Sequence, residues 1–194
     1  MNKINYFKKE ISYIKDASRR KDIRILIGLL PEYFFEIPAS STGKYHPDFA
    51  AGDGGLLRHT KVAVRIAHEL LENNTVGWKF SDEDKDLIIM ALILHDGLKS
   101  GLEKEKYTKF DHPLLVSKYI MENKDKVSMK VDDLRKMCSL IESHMGEWNY
   151  DKFSKKEVLP KPRTAEQRFV HMCDYLASRK FLDVKFNDNN EIKY

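Results

Sequence analysis

The stretch SDEDKDLIIMALILHDGLKSG, residues 81–101, decides how the chain is read. Ser81 stands where a helix N-cap belongs, and the acidic residues of the next turn suit the positive end of the helix dipole. The later half is apolar on every side, which predicts a central, fully buried helix. That run ends abruptly in His95 and Asp96, with Gly97 and Lys99 just behind. At a helix terminus, successive side chains can turn toward one point instead of diverging by about 100°. An imidazole and a carboxylate side by side at such an end suit one shared ligand.

Around this segment, helical periodicity is frequent and strand-like alternation is hard to find. Ile4, Phe7, Ile11 and Ile14 form one stripe, predicting an N-terminal helix over about residues 4–20. KDIRILIGLLPEYFF (21–35) predicts a second helix, ended or bent around Pro31. EIPASSTGKYHPDFAAGDGG (36–55) is rich in Pro, Gly, Ser and Asp; it predicts a loop, long enough to carry function. Further helices are expected in LLRHTKVAVRIAHELLEN (56–73) and in FDHPLLVSKYIMEN (110–123), the latter capped by Asp111 with Pro113 in its first turn. VDDLRKMCSLIESHMG (131–146) should stop at Gly146, and TAEQRFVHMCDYLASRKF (164–181) opens with a capping box, Thr164 to Gln167. The tail NDNNEIKY reads as frayed. The expectation is one all-α domain of six or seven helices spanning residues 1–194, with a core over about 25–185 and the 4–20 helix as an extension.

Composition bounds the function. A chain of 194 residues, 42% hydrophobic and 33% charged, can bury one sizeable core. It has no apolar run near the roughly 20 residues that span a bilayer. The first sixteen residues are charged throughout and lack the apolar core of a signal peptide, so a cytoplasmic protein with no membrane partner is expected. Cys138 and Cys173 lack C-x-x-C spacing, which speaks against a disulfide framework or thiolate zinc site and for buried free thiols. A net charge of +4 is compatible with a phosphate-bearing partner without specifying one.

Seven histidines are present, at 46, 59, 68, 95, 112, 144 and 171. A lone histidine near a helix end is ordinarily a cap or surface residue. Here several fall near helix ends that a bundle can bring together: His59, His95 with Asp96, His112, and His144, joined by Asp174 within the last helix. Imidazole and carboxylate together suit Mn, Fe, Co, Ni or Zn. His68, half a turn round its helix from His59, is assigned to surface or packing. His171, three residues before Asp174, is not favoured for a supporting role.

The order H…HD…H…H…D resembles the HD-domain superfamily of metal-dependent phosphohydrolases, a helical fold named for its adjacent His–Asp pair. The residues carrying the resemblance are GGLLRHT (His59), LILHDGLKSG (His95, Asp96, Lys99), FDHPLLVS (His112), IESHMGEW (His144) and HMCDYLASR (Asp174). Within it, the 34–60 segment and the stretch from SHMGEWNY to LASR look most like the catalytic domain of HD-type 3′-to-5′ exoribonucleases. Those enzymes add an N-terminal OB-fold, for which these 194 residues leave no room.

The resemblance implies two divalent metals (Mn, Fe, Ni, Co or Zn, with Mg also admissible). His59, His95, Asp96 and Asp174 would hold the first, His112 and His144 the second, with Asp96 bridging. It further implies that Lys99 approaches the substrate phosphate, and that Lys44, His46 and Arg163 face substrate. The expected activity is hydrolysis of a phosphoester by metal-activated water, with a phosphate-bearing small molecule or single-stranded nucleic acid as partner. One departure is Met145, where several relatives carry a second histidine. A thioether is a poor ligand for a hard cation, so a non-catalytic metal- or nucleotide-binding domain stands as the alternative.

Overall fold

The computed structural model describes residues 2–43 and 46–193. Among them, eight α-helices occur in order: α1 (Lys8–Ser12), α2 (Ala17–Leu29), α3 (Gly55–Glu72), α4 (Asn74–Gly77), α5 (Asp82–Leu94), α6 (His112–Glu122), α7 (Val131–Glu142) and α8 (Ala165–Ala177). The only sheet among the described residues is a hairpin of two-residue strands, β1 (Tyr150–Asp151) against β2 (Lys156–Glu157), with Tyr150 facing Glu157. The fold is therefore the expected all-α bundle, with α1 as part of the expected N-terminal helix and α4 as an additional short turn. No helix among the described residues is long and apolar enough to cross a membrane.

The 81–101 segment does what its pattern predicts. Ser81 Oγ accepts from Asp84 N–H at 3.1 Å while Asp84 Oδ2 accepts from Ser81 N–H at 3.1 Å, a reciprocal cap that starts α5. Every residue from Asp86 to Leu94 is buried. Helix α5 packs against α3 and α7, and α8 packs against all three. The same reciprocal cap, Thr164 with Gln167, starts α8. Asp111 does occupy the N-cap of α6, but its side chain makes no capping bond there.

Two expectations about the ends are corrected. The helix expected over 4–20 is divided: a 3₁₀ turn (Lys3–Phe7) runs into α1, and the chain is non-helical from 14 to 16 before α2. The reason is Asp86 of α5, whose carboxylate accepts from Lys15 N–H at 2.7 Å and Asp16 N–H at 3.0 Å. A helix through this point would need those donors internally. Asp16 then caps α2 through Arg19 N–H. Phe7, Ile11 and Ile14 are fully buried in the main core, so this segment is part of the core rather than an appendage. Nor is the tail frayed. Phe186 pairs with Ile192 across a tight turn, Phe186 lies 5.8 Å from the Phe49 ring, and Asn190 Oδ1 accepts from Arg58 at 2.7 Å.

Asp86→Ala should lower stability by about 3 kcal/mol, because it strands two backbone donors and removes the carboxylate 3.6 Å from Arg19. Urea unfolding followed by circular dichroism measures this directly, and a loss below half that value would mean water satisfies both donors.

Candidate metal centre

Five elements deliver side chains to one buried point. His59 lies in the second turn of α3, His95 is the C-cap of α5, His112 opens α6, His144 follows the end of α7, and Asp174 sits in the third turn of α8. His59, His95, Asp96, His112 and His144 are each at most 2% exposed. Asp174 keeps 17% of its side chain accessible and so marks the open side.

Three of the histidines are held alike. The Nδ1–H of His95 donates to Leu92 O, that of His112 to Lys109 O, and that of His144 to Ile141 O, each at 2.7 Å. Each bond reaches a carbonyl three residues back, and the Lys109 and Ile141 carbonyls also accept the backbone N–H groups of His112 and His144 at 3.2 Å. Fixing the proton on Nδ1 leaves Nε2 as the lone-pair nitrogen facing the centre, the tautomer a metal ligand needs.

The carboxylates sit between these nitrogens. His59 Nε2 is 2.8 Å and His95 Nε2 3.3 Å from Asp174 Oδ1. Asp96 turns one oxygen to each half of the cluster. Its Oδ2 is 3.5 Å from His95 and 3.9 Å from His59, while Oδ1 is 2.9 Å from His112 and 3.8 Å from His144. Close approach is not pairing here: His95 Nε2, His112 Nε2 and Asp96 Oδ1 are buried without an aligned hydrogen-bond partner. Buried polar atoms left in this way are costly unless something else satisfies them. A divalent cation fits that need. His59, His95 and Asp174 offer one such set and His95, Asp96 and His144 another, with the ligand atoms of each within 4.8 Å of one another.

Electrostatics favour the same forms. Burial works against the Asp96 charge, but Lys99 and His95 hold its carboxyl well below the usual carboxylate range. Burial likewise opposes ionisation of Asp174, and the hydrogen bond to His59 with the close approach of His95 outweighs it. Burial and the neighbouring His95 push His144 down to about 3, keeping it neutral. His95 goes the other way: burial disfavours the imidazolium, yet Asp96 and Asp174 raise it to about 10. A proton on His95 thus balances two buried carboxylates, the task a cation performs when bound.

These shifts set a pH dependence in chelator. The unfolded chain takes up a proton on His144 as pH falls from 6.5 towards 3, where the folded chain resists it, so stability falls. His46 behaves likewise, lowered to about 3 by burial and then by His59 and Lys99. The His95 contribution is fully present below 6.5 and is lost as pH rises through 10. The melting temperature should therefore peak near pH 6.5. A flat profile from pH 5 to 9 would contradict these assignments.

The other sequence-predicted residues divide. Lys99 Nζ pairs with Asp96 Oδ2 at 2.5 Å, and its side chain is 11% exposed. The turn carrying it is anchored by Tyr33, whose hydroxyl donates to Gly101 O and accepts from Ser100 N–H. His46 is brought to the cluster, with its ring 4.9 Å from that of His59 at 80° and its Nδ1 buried without a partner. Lys44 lies outside the described residues. Arg163 is exposed beside the N-terminus of α8, roughly 15 Å along the helix from Asp174 at 1.5 Å per residue, and the structure does not bring it to the centre. His68 stacks on Tyr13 at 3.7 Å, a packing role. Cys138 and Cys173 are buried free thiols pushed up by burial.

His171 does more than its position suggested. Its Nδ1–H donates to the backbone carbonyl of His144 at 2.7 Å. Gly146 permits this, with φ of +61°, because a Cβ there would overlap the His171 ring. The His–x₁–Gly pattern at 144–146 is the sole trace of this contact in the sequence.

A fold of this kind with such a centre defines a class. A family profile for the HD domain matches residues 56–179, and the chain belongs to that family, whose members are in general metal-dependent phosphohydrolases. No curated protein and no solved structure gives a significant match.

Proposed function

We propose that this chain hydrolyses a phosphoester bond of a nucleotide or of a nucleic-acid 3′ end with the aid of divalent metal. The observation that carries the proposal is the buried convergence of four imidazoles on two ionised carboxylates, one of which turns an oxygen to each half of the cluster. His59, His95, Asp96 and Asp174 are assigned to one cation, and His112 and His144, sharing Asp96, to a second. When bound, the cations would supply Lewis acidity for the phosphoryl oxygens and a water made nucleophilic near neutral pH.

The chain's own groups do the rest. Asp96, held ionised, fixes the spacing of the two halves. Lys99 stands beside it as a cation for the developing negative charge on phosphate. His46, kept neutral, can accept or donate a hydrogen bond at the cluster edge. The resemblance to HD-type exoribonucleases favours a nucleic-acid 3′ end. Met145, in place of a second histidine, is what favours the alternative of a non-catalytic binding domain.

The test is turnover by Mn²⁺-loaded protein of a nucleotide panel and a 5′-labelled single-stranded RNA. Shortening of the RNA from its 3′ end, with mononucleotides inert, identifies an exonuclease, whereas release from mononucleotides identifies a nucleotidase. Binding of either without product establishes the non-catalytic alternative.

A further inference from the structure

We propose that the surface beside Asp174 is a track for single-stranded nucleic acid on which one base stacks against Trp148. The proposal deepens the hydrolase reading, on which it rests for where the strand terminates. Trp148 is 44% exposed, and its indole lies 5.6 Å from the Tyr175 ring at 14°, a stacked pair. The Arg179 guanidinium sits 4.1 Å from the Tyr175 centroid and 6.0 Å from that of Trp148, with no carboxylate partner among the described residues. Two aromatic planes and a cation thus form one platform. Its underside is occupied by Tyr175, and much of the indole is left to solvent.

The platform adjoins the metal centre through two short links. Tyr175 follows Asp174 on α8, on the flank of that helix away from its buried face of Phe169, Val170, Cys173 and Ala177. His171, 6.1 Å from Trp148 by ring centres, hydrogen-bonds the backbone of His144. A base on Trp148 would therefore lie on the His171–Tyr175 side of α8, the helix that also carries the accessible carboxylate of the cluster.

The chain beyond Trp148 continues the pattern. In the β1–β2 hairpin, Tyr150 is 48% and Phe153 98% exposed. Lys152, Lys155 and Lys156 have no ion-pair partner among the described residues. Of the nearby acids, Glu157 pairs with Lys161, while Asp151, which accepts from the N–H groups of Phe153 and Ser154, and the exposed Glu147 keep their charge. With Arg179, the three lysines still leave an excess of positive charge interleaved with exposed aromatic rings, which suits a polyanion carrying flat bases. A protein partner fits less well, because lysine is depleted from the centres of protein interfaces.

The test measures binding of a labelled oligoadenylate dodecamer to the full chain by fluorescence anisotropy in chelator, which separates binding from turnover. Wild-type protein should bind, and Trp148→Ala should weaken binding about tenfold, the loss of one stacked base. Trp148→Phe should restore most of that loss, which guards against a folding defect. Trp78→Ala, altering a 74% exposed tryptophan on another surface, should change nothing. Replacing Lys152, Lys155 and Lys156 with alanine should flatten the salt dependence. No binding by wild type, equal binding by Trp148→Ala, or adenosine monophosphate bound as tightly as the dodecamer would each overturn the proposal. Binding through Trp148 with no product in Mn²⁺ overturns the hydrolase reading and leaves this one standing.

Discussion

Asp96→Ala should abolish phosphoester turnover, by roughly 10³-fold or more, and remove bound metal at the same time. The size of the effect follows from geometry. Asp96 is the one group whose two oxygens reach both halves of the cluster, 3.5 Å from His95 on one side and 2.9 Å from His112 on the other. No remaining carboxylate can replace it, since Asp174 approaches only His59 and His95. A thermal shift separates this from unfolding. Wild-type protein should gain stability in Mn²⁺ relative to chelator, by about 2.7 kcal/mol at a hundredfold excess over Kd. The variant should fold yet show no such gain. A variant that lost turnover but kept the full metal-dependent shift would place Asp96 outside the metal set.

Lys99→Met should behave differently, and the contrast is informative. It keeps most of the length of the side chain, removes the cation beside Asp96 Oδ2, and leaves every imidazole in place. Turnover should fall by about 10²–10³-fold, as when one group stabilising a transition-state anion is lost. Metal content should stay as in wild type or rise, because an ammonium no longer competes for the Asp96 carboxylate. The effect should appear in kcat rather than KM if the ammonium acts mainly on charge that develops during reaction. Loss of metal in Lys99→Met would instead make Lys99 a structural partner of Asp96.

Much of the fold was legible because its signals are local. The capping boxes at Ser81–Asp84 and Thr164–Gln167 and the apolar run to Leu94 each need only neighbouring residues. The six clustered residues were legible as an ordered set, because their order along the chain resembles that of the HD-domain superfamily. What escaped depends on distant partners. The break before α2 is dictated by Asp86, about seventy residues away in sequence. Docking of the tail depends on Arg58 and Phe49. The β1–β2 hairpin has no glycine or proline at its turn; Asp151 makes it by accepting two backbone N–H groups, and Lys155 takes a φ of 54°. His171 reads as an ordinary helix residue until the turn at Gly146 is seen folding against it.

The reading of the centre also shows where pattern and geometry differ. The family resemblance divides the ligands into four and two about a shared Asp96. Geometry gives two overlapping triads that share His95, with His112 joined through Asp96 Oδ1. Arg163, which the resemblance sets facing substrate, lies about two and a half helical turns from Asp174 along α8 and so is no part of the metal centre itself.

The most direct measurement is the metal content of wild type and Asp96→Ala by mass spectrometry, after loading with Mn²⁺ and gel filtration. The account predicts about two metal ions per wild-type chain and loss of both in the variant. Wild-type protein that emerges without metal, or metal retained in full by Asp96→Ala, would contradict it.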